Sequence, residues 1–172
     1  MSTQATGTRY ALVATISLVA SALGTGAALA QSSSQQTLTI NATVASRANL
    51  VISPTTINFP DANPQTTPSI AADSTVSVTA QMRTAGTPTL KVLAAGDLAA
   101  GGNTIAVSNV TWTASPAPFS AGTMNKTTAQ NAAAFSAGGG SYAGTYTFSL
   151  ANNWAYAPGS YTTTATYTLT AP

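Results

Sequence analysis

The side chains that carry out most enzyme chemistry are nearly missing from this sequence. It contains no histidine and no cysteine, and its three carboxylates are Asp61, Asp73 and Asp97. Without His or Cys, neither a Ser–His nor a Cys–His nucleophile pair forms, and Asp alone is a poor zinc site. A glycosidase-like carboxylate pair would need these three residues, but each follows or precedes Pro, Ser or Gly, where Asp commonly caps turns. The sequence therefore predicts a non-enzyme with no metal and no cofactor. An enzyme that uses paired Asp is the alternative.

Aromatic side chains offer a second kind of chemistry, which is stacking on sugar rings. Trp154 and Tyr156 lie in a turn that ends at Pro158-Gly159, so they are the best exposed candidates for a glycan contact. The other aromatic residues fall mostly at inward strand positions, which indicates core packing. A monomeric extracellular β-sandwich that binds carbohydrate is therefore one hypothesis for the function.

Charged residues are too few and too scattered along the sequence for a nucleic-acid-binding protein. After residue 30 the chain has four cationic and three anionic side chains, a net charge of +1. Nucleic-acid binding requires clustered Lys and Arg that displace counterions from phosphates. A net charge near zero also removes a barrier to self-association. We expect no nucleic-acid partner, and self-association is favoured.

The first 30 residues have the pattern of a secretory signal peptide. Residues 10–30 are apolar or small, Arg9 precedes them, and Ala28-Leu29-Ala30 is a small-x-small cleavage pattern. About 20 apolar residues can also span a bilayer, but Ser, Thr and Gly interrupt this stretch, which favours cleavage after Ala30. We therefore expect a secreted mature chain, residues 31–172, with no membrane span.

Alternation of apolar and polar residues predicts short β-strands along the mature chain. The predicted strands are residues 37–44, 48–52, 56–59, 74–82, 89–93, 104–113, 145–150 and 160–170. A slip in phase near Ser108 indicates a turn or bulge. Residues 94–103 and 115–140 are predicted as loops, with a helical turn over 127–135. The pattern predicts an all-β fold in which residues 46–172 form one antiparallel sandwich.

The two clearest alternating segments lie at the two ends of the mature chain. In residues 160–170 every second residue is Thr, and the opposite face carries Tyr161, Thr163, Ala165, Tyr167 and Leu169. We predict that this segment is a central core strand with Tyr161, Tyr167 and Leu169 inward. In residues 37–44 one face carries Leu38, Ile40, Ala42 and Val44. A polar lead, residues 31–36, precedes it.

These end segments resemble spore coat protein U-like domains. Residues 38–44, 48–52 and 57–59 are similar to the first half of such domains, where an alternating strand leads into a short strand and a Leu-Asn-Phe-Gly-like segment. Residues 158–169 are similar to their closing strand, in which Gly-x-Tyr precedes a Leu. Such domains are similar to pilus subunits of the chaperone–usher type, above all the archaic type.

The resemblance implies a fold, a mechanism and partners. The fold is an immunoglobulin-like sandwich that lacks one strand, and a neighbour's N-terminal segment completes it by β-augmentation. Residues 31–45 would be the extension that carries the donor strand, with Leu38, Ile40, Ala42 and Val44 as its contact residues. The groove strand would present Tyr161, Ala165, Tyr167 and Leu169. Whether residues 37–44 pair with another molecule or fold back as the domain's own first strand stays open.

The resemblance also implies a location. Subunits of this type cross the periplasm, with a periplasmic chaperone and an outer-membrane usher as assembly partners. They form homopolymers at the cell surface or outside the cell. We therefore expect a structural or adhesive fimbrial protein.

Overall fold

The computed structural model describes residues 33–172. The predicted signal peptide, residues 1–30, lies outside the described residues. Residues 33–46 have no assigned secondary structure, and a short 3-10 turn occupies Val107–Asn109. The strands that follow residue 46 are β1 (Arg47–Ser53), β2 (Ser69–Ala71), β3 (Val76–Arg83), β4 (Thr89–Ala94), β5 (Leu98–Ala100), β6 (Asn103–Ile105), β7 (Val110–Ser115), β8 (Gly122–Thr123), β9 (Gln130–Ala134), β10 (Gly139–Ala151) and β11 (Ala165–Thr170). In this part of the chain no helix has the length and apolarity that a membrane crossing requires.

The strands form two principal antiparallel sheets. The larger sheet has the order β1-β3-β10-β7-β8, and β2 adds to the far end of β10. The smaller sheet has the order β11-β4-β9, and β5 and β6 form a separate hairpin. Because the inward faces of both sheets share one buried apolar cluster, the predicted all-β sandwich is confirmed. The compact unit that contains it spans Ala42–Pro172.

The two-residue period of the sequence determines which side chains enter the core. The buried apolar side chains on β3 are Val76, Val78, Ala80 and Met82, and those on β10 are Tyr146, Phe148 and Leu150. Ser77 and Thr147, which lie between them in sequence, are exposed on the outer face. Successive side chains of a strand point to opposite faces, so this alternation produces one apolar and one polar face per sheet.

An aromatic cluster fills the centre of the sandwich around the fully buried Tyr146. Its ring packs edge-to-face on Phe119 and Trp112, at centroid distances of 5.9 and 6.5 Å. The Tyr146 hydroxyl donates a hydrogen bond to the Ala132 carbonyl (2.9 Å), and Trp112 Nε1 donates to the Ser120 carbonyl (2.8 Å). Both polar atoms of these large side chains are therefore paired inside the core, as burial requires.

Several predictions about local structure were wrong. The predicted loop over residues 115–140 contains β8, β9 and the first residues of β10. Residues 127–135 contain strand β9, not a helical turn, because pairing with β4 overrides the helical preference of an Ala-rich stretch. Residues 94–103 contain β5 and the first residue of β6. Residues 56–59 form no strand, and the backbone N–H and C=O of Asn58 bond with Asp73 instead (3.1 and 2.9 Å). The phase slip near Ser108 is confirmed, since the 3-10 turn lies there.

Candidate functional site

Two strands on the same side of the sandwich each have one free edge. β1 pairs with β3, and β11 pairs with β4; in the described chain neither has a second neighbour. Cα atoms of β1 and β11 come within 8 Å of each other, so the two free edges face a common side. We call this the open side, bounded by Arg47–Ser53 and Ala165–Thr170.

The opposite side of the sandwich is closed by backbone contacts between the sheets. A bridge joins Phe119 to Ala133, and the Ser120 amide donates to the Ala132 carbonyl (2.8 Å). Among the described residues no comparable bridge joins β1 to β11. The open side is therefore where the backbone pairing of the sandwich is incomplete.

Apolar side chains on the open side are only half-buried. Ile52 lies across the ladder from Val78, and Tyr167 lies across from Val92. The inner-strand partners are each 1% exposed, whereas Ile52 and Tyr167 are half-buried. The half-buried apolar residues of the two edge strands are Leu50, Ile52, Tyr167 and Leu169. The core is therefore less completely covered along this side than at its centre.

Backbone polar groups of β11 also face the open side. The Ala95 amide donates to the Thr164 carbonyl (2.8 Å), so the even-numbered residues 164–170 are those that bond with β4. In an antiparallel ladder the alternate residues turn their N–H and C=O groups the other way. Ala165, Tyr167 and Leu169 therefore present backbone groups to the open side, as an unpaired edge strand does.

The predicted donor segment carries exposed apolar side chains. Leu38 is 82% exposed, Ile40 is 83% exposed and Val44 is 68% exposed, and Ala42 is exposed as well. Residues 33–46 have no assigned strand. In the described chain, residues 37–44 therefore carry an exposed apolar face outside any assigned strand.

The C-terminal segment differs from its prediction in three ways. The prediction of a central strand was wrong, because β11 is an edge strand. The strand begins only at Ala165, since Thr162 bridges to Ala99 and leaves the line of the ladder. Tyr161 is half-buried outside the strand and its hydroxyl donates to the Ala157 carbonyl (2.8 Å). Ala165 is exposed, so Tyr167 and Leu169 are the two predicted residues at the edge that pack on the core.

Among the described residues, the hydroxyl group of Tyr167 has no hydrogen-bond partner although it is buried. The Tyr167 ring stacks on Tyr146 with 6.0 Å between centroids and 20° between planes. Burial raises the pKa of the Tyr167 hydroxyl far above its ordinary range. Burial, and next the neighbouring Tyr167, raise the pKa of Tyr146 in the same direction. Both phenols are therefore neutral under physiological conditions.

The two candidate glycan-contact residues differ in exposure. Trp154 is 71% exposed, whereas Tyr156 is half-buried, packs on the core and donates its hydroxyl to the Ala151 carbonyl (3.1 Å). Tyr156 thus has a structural role, and Trp154 is the candidate whose aromatic ring is accessible to a ligand.

Two of the Asp residues have structural partners. Hydrogen bonds from the side chain and backbone of Asn58 lower the pKa of Asp73. Asp97 accepts from Lys126 Nζ and from the Val107 amide, and these bonds lower its pKa. In residues 33–172 no three His, Cys, Asp or Glu residues converge as metal ligands. The carboxylates of Asp73 and Asp97 therefore stabilise loops and the 3-10 turn.

Known proteins give no indication of the function of this chain. No protein-family model matches the chain, and no curated protein matches it.

Proposed function

We propose that the protein is a secreted structural subunit that polymerises at a cell surface by β-strand exchange. The observation that carries the proposal is the coincidence, in one chain, of an open side and an exposed alternating segment. Residues 37–44 of one molecule would occupy the open side of the next and pair with the free edge of β11.

The chemistry of donor and acceptor is complementary. The apolar face of the donor, Leu38, Ile40 and Val44, would cover the half-buried Tyr167 and Leu169. Burial of each large apolar donor side chain contributes about 1.5–3 kcal/mol, as an upper range. Pairing would also give hydrogen-bond partners to the backbone groups that Ala165, Tyr167 and Leu169 turn toward the open side.

Insertion requires a change in the acceptor. Neighbouring strands lie about 4.8 Å apart, so a strand paired on both sides needs flanking strands about 10 Å apart. Since β1 and β11 approach within 8 Å in places, these edges must separate there for a donor to pair with both. Pairing with β11 alone requires no such separation.

Export and assembly partners belong to the same proposal. A signal peptide over residues 1–30 would direct the chain out of the cytoplasm. A subunit whose core is uncovered along one side needs protection before assembly, which a periplasmic chaperone would supply, and an outer-membrane usher would release the polymer. No catalytic role is proposed.

The decisive experiment compares two charge insertions on opposite faces of the donor segment. Ile40→Asp places a carboxylate on the apolar face, and Thr39→Asp places the same charge on the polar face. We expect the mature chain and the Thr39→Asp variant to form polymers in sedimentation and electron microscopy, and the Ile40→Asp variant to stay monomeric.

Two results would contradict strand exchange. One is a wild-type mature chain that stays monomeric, with residues 37–44 protected from hydrogen exchange inside the monomer. The other is equal polymerisation of both Asp variants.

A binding module is the second candidate function, favoured by the 71% exposure of Trp154. Exposed tryptophan stacks on the apolar face of a sugar ring. Trp154→Ala should then abolish retention on a neutral polysaccharide column. Unchanged retention, or none with the wild type, rejects this candidate.

A further inference from the structure

Two arginine side chains lie directly opposite each other at the end of the larger sheet. Arg47 opens β1, Arg83 closes β3, and the two are cross-strand partners. Both are exposed. Directly opposed residues of an antiparallel pair have Cβ atoms about 5 Å apart, and like charges in this arrangement are destabilising.

No acidic group in the described chain neutralises this pair. The ion pair found there joins Lys126 to Asp97, and Asp73 is bound to Asn58. The chain thus places half of the cations that follow residue 30 on one pair of facing positions without a counterion. Neutral residues at the same positions would avoid the repulsion between the two guanidinium groups.

The arginine pair lines an open cleft of about 770 Å³. Arg83 Nε donates to the Ala45 carbonyl (3.1 Å), which orients the guanidinium and leaves its two Nη groups without a partner in the described chain. On the other flank the ladder partner of Arg83 is Gly139, which contributes no side chain beside the arginine. Gly139 has a φ of +85°, and a Cβ there would collide with the Met82 backbone, so glycine is required.

Neutral hydrogen-bonding groups continue the cleft along the outer face. Two residues along each strand, the next cross-strand row on the outer face consists of Asn49, Gln81 and Ser141. All three side chains are exposed. Asn49 Nδ2 donates to Gln81 Oε1 (3.1 Å), which holds both amides in place and leaves a carbonyl oxygen and an amino group free. The cleft therefore combines a fixed cationic pair with uncharged donors and acceptors.

We propose that this arginine cleft binds an acidic polysaccharide through a carboxylate or sulfate group. Guanidinium groups pair with such oxyanions through two parallel hydrogen bonds, and the amide row suits the sugar hydroxyls beside the anionic group. Nucleic acid and anionic membranes need larger cation clusters than two arginines. The site lies on the outer face of β1 and β3, whereas the apolar side chains that β1 contributes to the open side lie on its inner face.

The test uses three polymers with the same backbone. Dextran is neutral, carboxymethyl-dextran adds carboxylates and dextran sulfate adds sulfates, and binding of the mature chain is measured by affinity electrophoresis at fixed salt. Binding to at least one charged polymer and not to dextran is expected, and the stronger of the two identifies the anionic group. Equal retention by dextran, or tighter binding to duplex DNA of the same charge concentration, would overturn the proposal.

The matched variants are Arg47→Gln and Lys91→Gln, which each remove one exposed positive charge. Arg47→Gln should weaken binding about tenfold or more, since it removes charge-assisted hydrogen bonds. Lys91→Gln on β4 should change binding less than about threefold, because charges at a distance are screened. Equal losses in the two variants would show a diffuse charge effect and overturn the site.

Thermal unfolding separates a binding role from a structural one. Arg47→Gln relieves the repulsion with Arg83, so without polysaccharide it should unfold at a temperature equal to or above that of the wild type. A variant that binds weakly because it is poorly folded would unfold at a lower temperature, and that result would contradict the proposal. Arg47→Lys, which keeps the charge but loses the planar fork, should bind with intermediate affinity.

Discussion

At the scale of single residues, two stacked tyrosines have different hydrogen-bond status. Tyr146 lies in the centre of the core with its hydroxyl bonded to the Ala132 carbonyl, while the Tyr167 hydroxyl is buried and has no partner in residues 33–172. A buried polar group without a partner is destabilising. The open side thus contains a polar atom that the single chain leaves unsatisfied.

The tyrosine pair predicts opposite effects from the same substitution. Tyr167→Phe removes an unpaired hydroxyl and keeps the ring stack, so the free energy of unfolding should rise by about 1 kcal/mol. Tyr146→Phe removes a satisfied hydrogen bond and should lower it by about 0.5–1.5 kcal/mol. Urea unfolding in the Ile40→Asp background, where polymerisation does not enter, measures both. Changes of the same sign in the two variants would contradict the difference in hydrogen bonding between the two tyrosine hydroxyls.

Asp97 predicts a specific sensitivity to acid. Hydrogen bonds from Lys126 and from the Val107 amide lower its pKa below the ordinary value of 3.8. A carboxylate with a lowered folded-state pKa stabilises the fold above its unfolded pKa, and this contribution is lost as the pH falls through the folded-state pKa. Stability should therefore decline as the pH falls below about 4.

The pH dependence is checked by thermal unfolding between pH 2 and pH 7. Asp97→Asn should remove part of the acid-induced decline, and Asp73→Asn should remove another part, because hydrogen bonds from Asn58 lower the pKa of Asp73. An unchanged pH profile in Asp97→Asn would show that its bonds with Lys126 and Val107 do not persist in solution.

At the scale of elements, strand β10 organises the larger sheet. It pairs with β3, β7 and β2, and its inward residues carry the aromatic cluster. Gly144 lies on this strand beneath the ring of Phe119, which packs at 5.9 Å from the rings of Phe135 and Tyr146. The absence of a side chain at Gly144 makes room for that ring.

Gly144→Ala should therefore destabilise the sandwich. The new methyl group would overlap the Phe119 ring, and overpacking of this kind costs about 1–3 kcal/mol. The control is Gly102→Ala, since a Cβ at Gly102 meets nothing within 4 Å. Its effect should stay within about 0.5 kcal/mol in the same unfolding experiment. Similar effects of the two substitutions would show that the Phe119 ring can move aside.

At the scale of the whole molecule, scarcity of charge separates the two proposed interactions. Residues 33–46 contain no charged side chain, and the chain after residue 30 has a net charge of +1. Strand exchange would then rely on apolar burial and backbone hydrogen bonds. Polysaccharide binding would rely on two guanidinium groups.

Salt should therefore affect the two processes differently. Between 50 mM and 500 mM NaCl, retention by the charged dextran should fall steeply, since screening weakens exposed charge pairs. The polymerisation rate followed by light scattering should change less than about threefold, because neither partner is strongly charged. Polymerisation that stops at high NaCl would contradict an apolar donor strand.

Much of the fold could be predicted because its signals are local. Alternation along Val76–Met82 and Tyr146–Leu150 specifies which residues are buried, and the structure buries those residues. The errors arose where pairing with a distant strand decided the outcome. Residues 130–134 form a strand because β4 offers a partner, and a register shift there buries Ala132 and Ala133 together, which hides the two-residue period.

The candidate site was predictable only in part for the same reason. Tyr167 and Leu169 were identified from alternation, but Leu50 and Ile52, the contribution of β1 to the open side, were not. Nothing in residues 48–52 distinguishes an edge strand from an inner one, since both alternate. The free edge of β11 likewise depends on which strands pair, and the prediction of a central strand failed there.

The sequence by itself determined the all-β class, the inward and outward faces of the main strands, and the shortage of catalytic side chains. These properties follow from residue type and from a period of two, which act over a few residues. Only the tertiary structure decided that β1 and β11 are edges of one open side. It also brought Arg47 and Arg83 together on facing strands although they are far apart in sequence. Strand order and register depend on pairing between distant segments. They are therefore determined by how the whole core packs, and not by the residue pattern of any one strand.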